Sequence, residues 1–248
     1  MTPLPRVVGA ETLDGLAEDD PSAMRSRRDL QRVHRVMGTR SILLRALRDW
    51  PLPRSGTAPL RVLELGAGDG SLMLRVAREL APAWSCVELT LLDRQALVAP
   101  GTVRQYARLG WTASCTRMDV LDWVAGPAQA PGMGDSGPCW DVIVANLFLH
   151  HFQGRELAEL LRAVAARCSH FLACEPRRGR LALIGSHLIG ALGANAVTRG
   201  DAVLSVHAGF RGQELGALWP QAEATWKLQE GPAGWFSHCL RAVRAGPS

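Results

Sequence analysis

Apolar positions in this chain fall into short dense runs that alternate with stretches of helical spacing. Runs at Arg61–Leu65, Val87–Leu92, Thr112–Arg117, Trp140–Ala145 and Phe171–Cys174 read as strands. Between them, Ser71–Leu80, Gln95–Leu109 and Glu156–Cys168 carry apolar side chains at the period of a helix. Such alternation predicts a parallel sheet with helices on both faces. Two last strands, Thr225–Gln229 and His238–Val243, stand close enough to pair as a hairpin through a Gly-Pro-Ala-Gly turn. The expected fold class is α/β: a doubly wound, mostly parallel seven-stranded sheet ending in an antiparallel hairpin.

Upstream of the sheet, Leu30, Val33, Met37, Leu43, Leu44 and Leu47 recur at helical spacing between Pro21-Ser22 and Trp50, with Gly38 as a candidate break. Residues 1–20 are acidic and loop-like, and loose ordering is expected of them. Pro51, Pro53 and Gly56 make a linker, and Gly126–Cys139 reads as a surface loop. The domain reading is therefore a tail and helical cap over 1–56 and a main domain over 57–248, with a long insert at 177–220.

Composition narrows the class. With 248 residues the chain can bury about three quarters of its unfolded surface in one core. No apolar run reaches the ~20 residues needed to cross a bilayer, and the first twenty residues lack a secretion signal. The six cysteines stand singly, with no C-x-x-C pair, as suits reduced buried thiols. A cytoplasmic protein without a metal is expected. The net charge of +5 is carried by arginine, Lys227 being the only lysine. Arg25, Arg27, Arg28, Arg32, Arg35, Arg40, Arg45 and Arg48 cluster before the sheet, as a solvated helix face or a stripe for an anionic partner.

Chemistry concentrates at the first strand. Residues 61–70, Arg-Val-Leu-Glu-Leu-Gly-Ala-Gly-Asp-Gly, run from a strand through Gly66, Gly68 and Gly70 into a helix. Such a turn brings bare backbone close to a ligand. A dinucleotide fingerprint reads G-x-G-x-x-G. Here the third glycine comes one residue early, and Glu64 stands two residues before the first. A carboxylate there disfavours a pyrophosphate and favours a ligand with positive charge.

The pattern E-x-G-x-G-x-G resembles the first motif of class I S-adenosylmethionine-dependent methyltransferases. The resemblance spans roughly residues 24–244. It implies S-adenosylmethionine as cofactor, with Glu64 near its methionine end and Gly66, Ala67 and Gly68 against it. Asp93, closing the second strand, would take both ribose hydroxyls, with Arg94 beside it; a helix N-cap is the alternative. Asp119, after the third strand, would take the adenine amino group, or cap the helix toward Trp123. Met118 or Val120 would pack on the ring. Asn146 would stand at the rim.

The segment Asn146-Leu147-Phe148-Leu149-His150-His151-Phe152 resembles the fourth motif of small-molecule methyltransferases of the ubiquinone/menaquinone-biosynthesis type. No N-P-P-Y or D-P-P-Y sequence is present, which argues against methylation of nucleobase amines. A small aromatic, polyketide-like or quinone-like acceptor, methylated on oxygen, is the favoured reading, with carbon methylation next. An RNA methyltransferase using the arginine stripe lacks a supporting module, so no nucleic-acid partner is expected. The state of assembly, monomer or homodimer, stays open.

A free phenol titrates near pH 10 and histidine near 6.5, so a histidine base raises the reactive fraction of an acceptor. His150 and His151 are the candidate catalytic pair, one expected to face the pocket and the other to serve the scaffold, with both as scaffold the alternative. The insert Arg177–Phe210, with Leu181, Leu183, Ile184, Leu188, Ile189 and Leu192 on a helical face, is expected to line the acceptor pocket, or else to be ordinary core. Arg177, Asn195, Asp201 and His207 are its candidate substrate contacts. The N-terminal helices are expected to fold over the pocket as a lid.

Overall fold

The computed structural model describes residues 4–50, 58–127, 140–220 and 226–245. The linker prolines with Gly56, most of the Gly126–Cys139 loop and Thr225 lie outside these residues. The strands are β1 (Leu60–Leu65), β2 (Val87–Asp93), β3 (Trp111–Arg117), β4 (Trp140–Asn146), β5 (Cys168–Pro176), β6 (Trp226–Ala233) and β7 (Ser237–Arg244). They form one sheet in the order β3-β2-β1-β4-β5-β7-β6, in which β7 alone runs against the rest. The hairpin pairs Ala233 with Ser237, so its turn falls at 234–236, three residues later than the sequence suggests.

Alternate residues of the central strands enter different cores, as the two-residue period of a strand requires. Val62, Val142, Val144 and Leu172 pack on one side. Leu63, Ile143, Ala145 and Phe171 pack on the other. Coverage of both faces explains why consecutive residues of β1 and β4, such as Val62-Leu63 and Val142–Ala145, are apolar rather than alternating with polar ones.

The helices covering the sheet are α4 (Ser71–Leu80), α5 (Pro100–Ala107), α6 (Val120–Ala125) and α7 (Gly154–Arg167). Helix α5 begins five residues later than its apolar spacing predicts. Pro100 takes its first turn, where a missing N–H costs nothing, and residues 94–99 form the connection from β2.

Before the sheet come α1 (Thr12–Gly15), α2 (Pro21–Val36) and α3 (Thr39–Arg48), and between β5 and β6 come α8 (Arg180–Leu188) and α9 (Ala196–Ala208). Asp20 caps α2 by accepting from Ser22 and Ala23 N–H at 2.7 and 3.1 Å, and Gly38 turns left-handed at φ 67° to separate α2 from α3. The expectation of a loose N-terminal tail is corrected. Asp201 accepts from the Thr12 and Leu13 N–H groups at 2.8 and 2.9 Å, capping α1 from outside. The Arg178 guanidinium donates to Leu4 O at 2.9 Å, and Arg6 donates to Ala208 O and Phe152 O at 2.8 and 2.9 Å. These partners lie far along the chain, so composition around residues 1–20 carried no sign of them.

Candidate functional site

Strand order reverses between β1 and β4, and at such a switch point the carboxyl ends of the strands leave a crevice. A cavity of about 790 Å³ opens there, a size typical of small-molecule sites. Glu64, Asp93 and Asn146 reach it from the ends of β1, β2 and β4, and Met118, Asp119 and Val120 from the turn after β3. Residues 8–11 and 13–15 form much of its opposite wall, with Arg27, Leu30, Gln31 and His34 of α2.

The glycine turn is built for close approach. Gly66, Gly68 and Gly70 all have φ between 56° and 68°, a left-handed backbone that other residues adopt at a cost. A Cβ on Gly66 would fall 2.3 Å from Cδ2 of Phe148, whereas one on Gly68 would meet nothing within 4 Å. Gly66 and Ala67 N–H both donate to Leu92 O, tying the turn to β2. Asp93 braces it further. One carboxylate oxygen accepts from Gly68 N–H at 2.8 Å and the other from Gln95 N–H at 2.9 Å. Each oxygen keeps a second lone pair for a ligand.

Glu64 is buried, and its Oε2 has no hydrogen-bond partner. The same holds for Oδ1 of Asn146. Burial, with Asp69 and Asp93 nearby, pushes the Glu64 carboxyl up to about 8. Two orphaned acceptors at one end of a cavity call for a donor-rich, positively charged group. Asp119 caps α6 through Leu121 N–H at 2.8 Å, as its alternative reading has it, and still lines the cavity. Arg94 also lines the cavity, but its guanidinium holds the carbonyl and, at 3.3 Å, the carboxylate of Asp14.

The two histidines separate clearly. His150 is buried, with Nδ1 donating to Glu175 Oε2 at 2.8 Å and Nε2 donating to Glu11 Oε1 at 3.3 Å. Burial alone would lower its pKa, but the hydrogen bonds and charges of the two glutamates outweigh it and raise the imidazole to about 9. His150 is therefore charged at neutral pH. His151 lies beside it, tilted by 32° with ring centroids 4.3 Å apart, and 3.3 Å from Asp14. Burial and the adjacent His150 charge lower its pKa, so it stays neutral. Both rings border the cavity, and the free base of the pair is His151.

The four residues expected to contact substrate from the insert do not line this cavity. Asn195 caps α9 through Thr198 N–H at 2.8 Å, and Asp201 is spent on α1. Arg177, just past the end of β5, pairs with Phe210 in an isolated bridge, and the His207 carbonyl accepts from Val7 N–H. Of the insert, Ser205 alone among the described residues borders the cavity. Leu181, Ile184 and Leu188 point to solvent, 51, 57 and 62% exposed. The wall assigned to the insert is supplied by residues 8–15 instead. Glu11 and Glu175 were missed. Glu175 ends an apolar strand, the position that had marked Glu64; Glu11 carries no local signal.

No protein-family model and no curated protein matches the chain. Solved structures match its fold. The plantazolicin methyltransferase BamL, in complex with a triazolic desmethylPZN analog and SAH, is 12% identical with a TM-score of 0.57, over 94% of this chain and 92% of that one. The plantazolicin methyltransferase BpumL, in complex with SAH, is 14% identical with a TM-score of 0.55, over 92% of each chain. The citrinin polyketide synthase CMeT domain is 16% identical with a TM-score of 0.51, over 79% of this chain and 49% of that one. The seven-stranded sheet with helices on both faces is thus the Rossmann-like fold of these methyltransferases.

Proposed function

We propose that this protein is an S-adenosylmethionine-dependent methyltransferase acting on a small molecule, with the acidic hydroxyl of an aromatic or polyketide-like acceptor as the favoured nucleophile. The observation that carries this is the pair of unpartnered buried acceptors, Glu64 Oε2 and Asn146 Oδ1, beside the glycine turn. They suit the ammonium end of that cofactor, while Asp93 suits ribose hydroxyls, and Asp119 with Met118 an adenine. When bound, the cofactor would supply an electrophilic methyl group.

The chain's own residues would do the rest. The N-terminal segment and α2 serve as a lid that excludes water. The neutral imidazole of His151 takes the acceptor's hydroxyl proton. His150, kept charged by Glu175, donates a hydrogen bond to the oxygen that becomes negative. Methylation at a ring carbon next to the ionised oxygen would use the same groups and is the second reading.

Calorimetry tests the cofactor assignment. S-adenosylhomocysteine should bind the intact protein, and Glu64→Gln should weaken it at least tenfold. Unchanged affinity in that variant removes Glu64 from the site. Labelled cofactor given to an extract of the native organism, with the product identified by mass spectrometry, then names the acceptor and the methylated atom.

A further inference from the structure

We propose that Glu11 occupies the place of the acceptor's ionised oxygen, so that the pocket beside His150 binds a small aromatic anion, a phenolate, in exchange for the chain's own carboxylate. This rests on the methyl-transfer reading above and adds to it the charge state of the acceptor.

The carboxylate of Glu11 sits in the cavity wall with its side chain only 13% exposed. It is bonded there by two groups from distant elements, the Nε2–H of His150 at 3.3 Å and the hydroxyl of Ser205 on α9. Neither belongs to the N-terminal segment, and both border the cavity. Together they form a two-donor cradle for one anionic oxygen. Behind His150 stands the buried carboxylate of Glu175, which keeps the imidazole doubly protonated and its Nε2–H turned to the cavity.

The segment does not need Glu11 for its anchorage. Asp201 holds Thr12 and Leu13, Arg178 holds Leu4, and Arg6 holds the chain to Ala208 and Phe152. The anion that takes the place of Glu11 is the acceptor's oxygen once His151 has taken its proton, while His150 keeps its bond to Glu175. A neutral guest offers His150 only a weak acceptor in place of a carboxylate, so the buried charge loses one of the two anions that offset it.

The surroundings fit a flat ring. Phe148, Phe152 and His151 border the cavity next to the cradle, with the Phe148 ring 5.3 Å from Phe152 and 6.5 Å from His151. Glu11, His150 and His151 also bring possible ligand atoms within 4.8 Å of one another, as a cation site would. The partners favour an anion: both ring nitrogens of His150 face carboxylate oxygens, which only accept, and Ser205 Oγ lies within bonding distance of Glu11 Oε1.

The test is a titration of the full-length protein with 4-nitrophenolate, followed by its visible absorption band, with and without S-adenosylhomocysteine. The neutral probe 4-nitroanisole is followed in parallel by calorimetry. Glu11→Gln should tighten 4-nitrophenolate at least tenfold and change 4-nitroanisole less than twofold, and Glu11→Ala should behave alike, with circular dichroism checking the fold. Equal 4-nitrophenolate affinity in wild type and both folded variants overturns the proposal, as does its failure to bind any of them. One zinc ion bound per chain, and lost in Glu11→Gln, overturns it in favour of a metal site. Tightening without any binding of S-adenosylhomocysteine would sustain the anion pocket and sink the cofactor reading instead.

Discussion

Glu175 accepts hydrogen bonds from both the main-chain N–H and the ring Nδ1–H of His150, at 3.3 and 2.8 Å. The same buried carboxylate also accepts from Phe148 and Leu149 N–H, at 3.1 and 2.9 Å. One side chain at the end of β5 thus shapes the turn after β4 and sets the charge of its histidine. Leu147, just before, is the one non-glycine residue with positive φ, at 49°, among those described. Glu175→Ala should therefore leave the Nδ1–H of the buried imidazolium and three main-chain donors without their acceptor. A loss of about 3–5 kcal/mol is expected, from the cost of breaking a buried pair. Urea denaturation measures it; a change within 1 kcal/mol of wild type would mean the turn stands without Glu175.

His150 makes stability depend on pH. Its folded pKa of about 9 exceeds the ordinary 6.5, so folding takes up a proton between those values. The stabilisation is complete below about pH 6.5 and is lost as pH rises through 9. A few kcal/mol is the upper bound from the shift, at 1.36 kcal/mol per pKa unit. His150→Gln should flatten the fall in stability between pH 6.5 and 9. A curve parallel to wild type would show that the imidazole is not charged in the fold.

Glu64 has the opposite value for the fold and for the ligand. Its carboxyl is raised to about 8, so the folded chain holds a proton that the unfolded chain releases above pH 4.5. Stability therefore declines as pH rises from 4.5 toward 8, and Glu64→Gln removes that penalty. The variant should gain on the order of 1–3 kcal/mol at pH 7.5 without ligand, while losing the shift in Tm that S-adenosylhomocysteine gives wild type. A cationic ligand end favours the ionised carboxylate, so S-adenosylmethionine binding to wild type should release protons near neutral pH and tighten up to about pH 8. Calorimetry in buffers of different ionisation enthalpy reads that release directly; its absence would place the positive charge elsewhere.

The sheet was legible because its strands are short apolar runs bounded by glycine, aspartate and proline. β1, β2, β3 and β4 fall within one residue of expectation at each end. β5 runs from 168 to 176 rather than 171 to 174, since pairing with β4 and β7 carries it through Glu175 and Pro176, which no apolar pattern includes. The carboxylates at 64, 93 and 119 were legible for a related reason: each stands near the carboxyl end of a strand or in the turn just after it, where a charge is conspicuous beside the apolar run. Glu11, Asp14 and Ser205 were not. Their meaning comes from contacts between residues more than a hundred positions apart, set by how α9 and the N-terminal segment pack. The apolar face of α8 shows the converse, a helical period that reads as lining yet points outward.

Gly66 and Gly68 share a left-handed backbone but differ in what lies above it, so the same substitution should have different consequences. In Gly66→Ala the methyl falls 2.3 Å from the Phe148 ring, closer than carbon atoms approach. Phe148 cannot simply withdraw, because its N–H is held by Glu175 and its ring packs on Phe152. Overpacking of about 1–3 kcal/mol adds to the ~1–2 kcal/mol cost of a left-handed alanine. In Gly68→Ala that backbone cost stands alone, since the methyl meets no protein atom and enters the cavity. Thermal denaturation should place Gly66→Ala well below Gly68→Ala. Gly68→Ala, still folded, should lose most of its affinity for S-adenosylhomocysteine. If Gly68→Ala binds as wild type does, the space above Gly68 is not where the ligand lies.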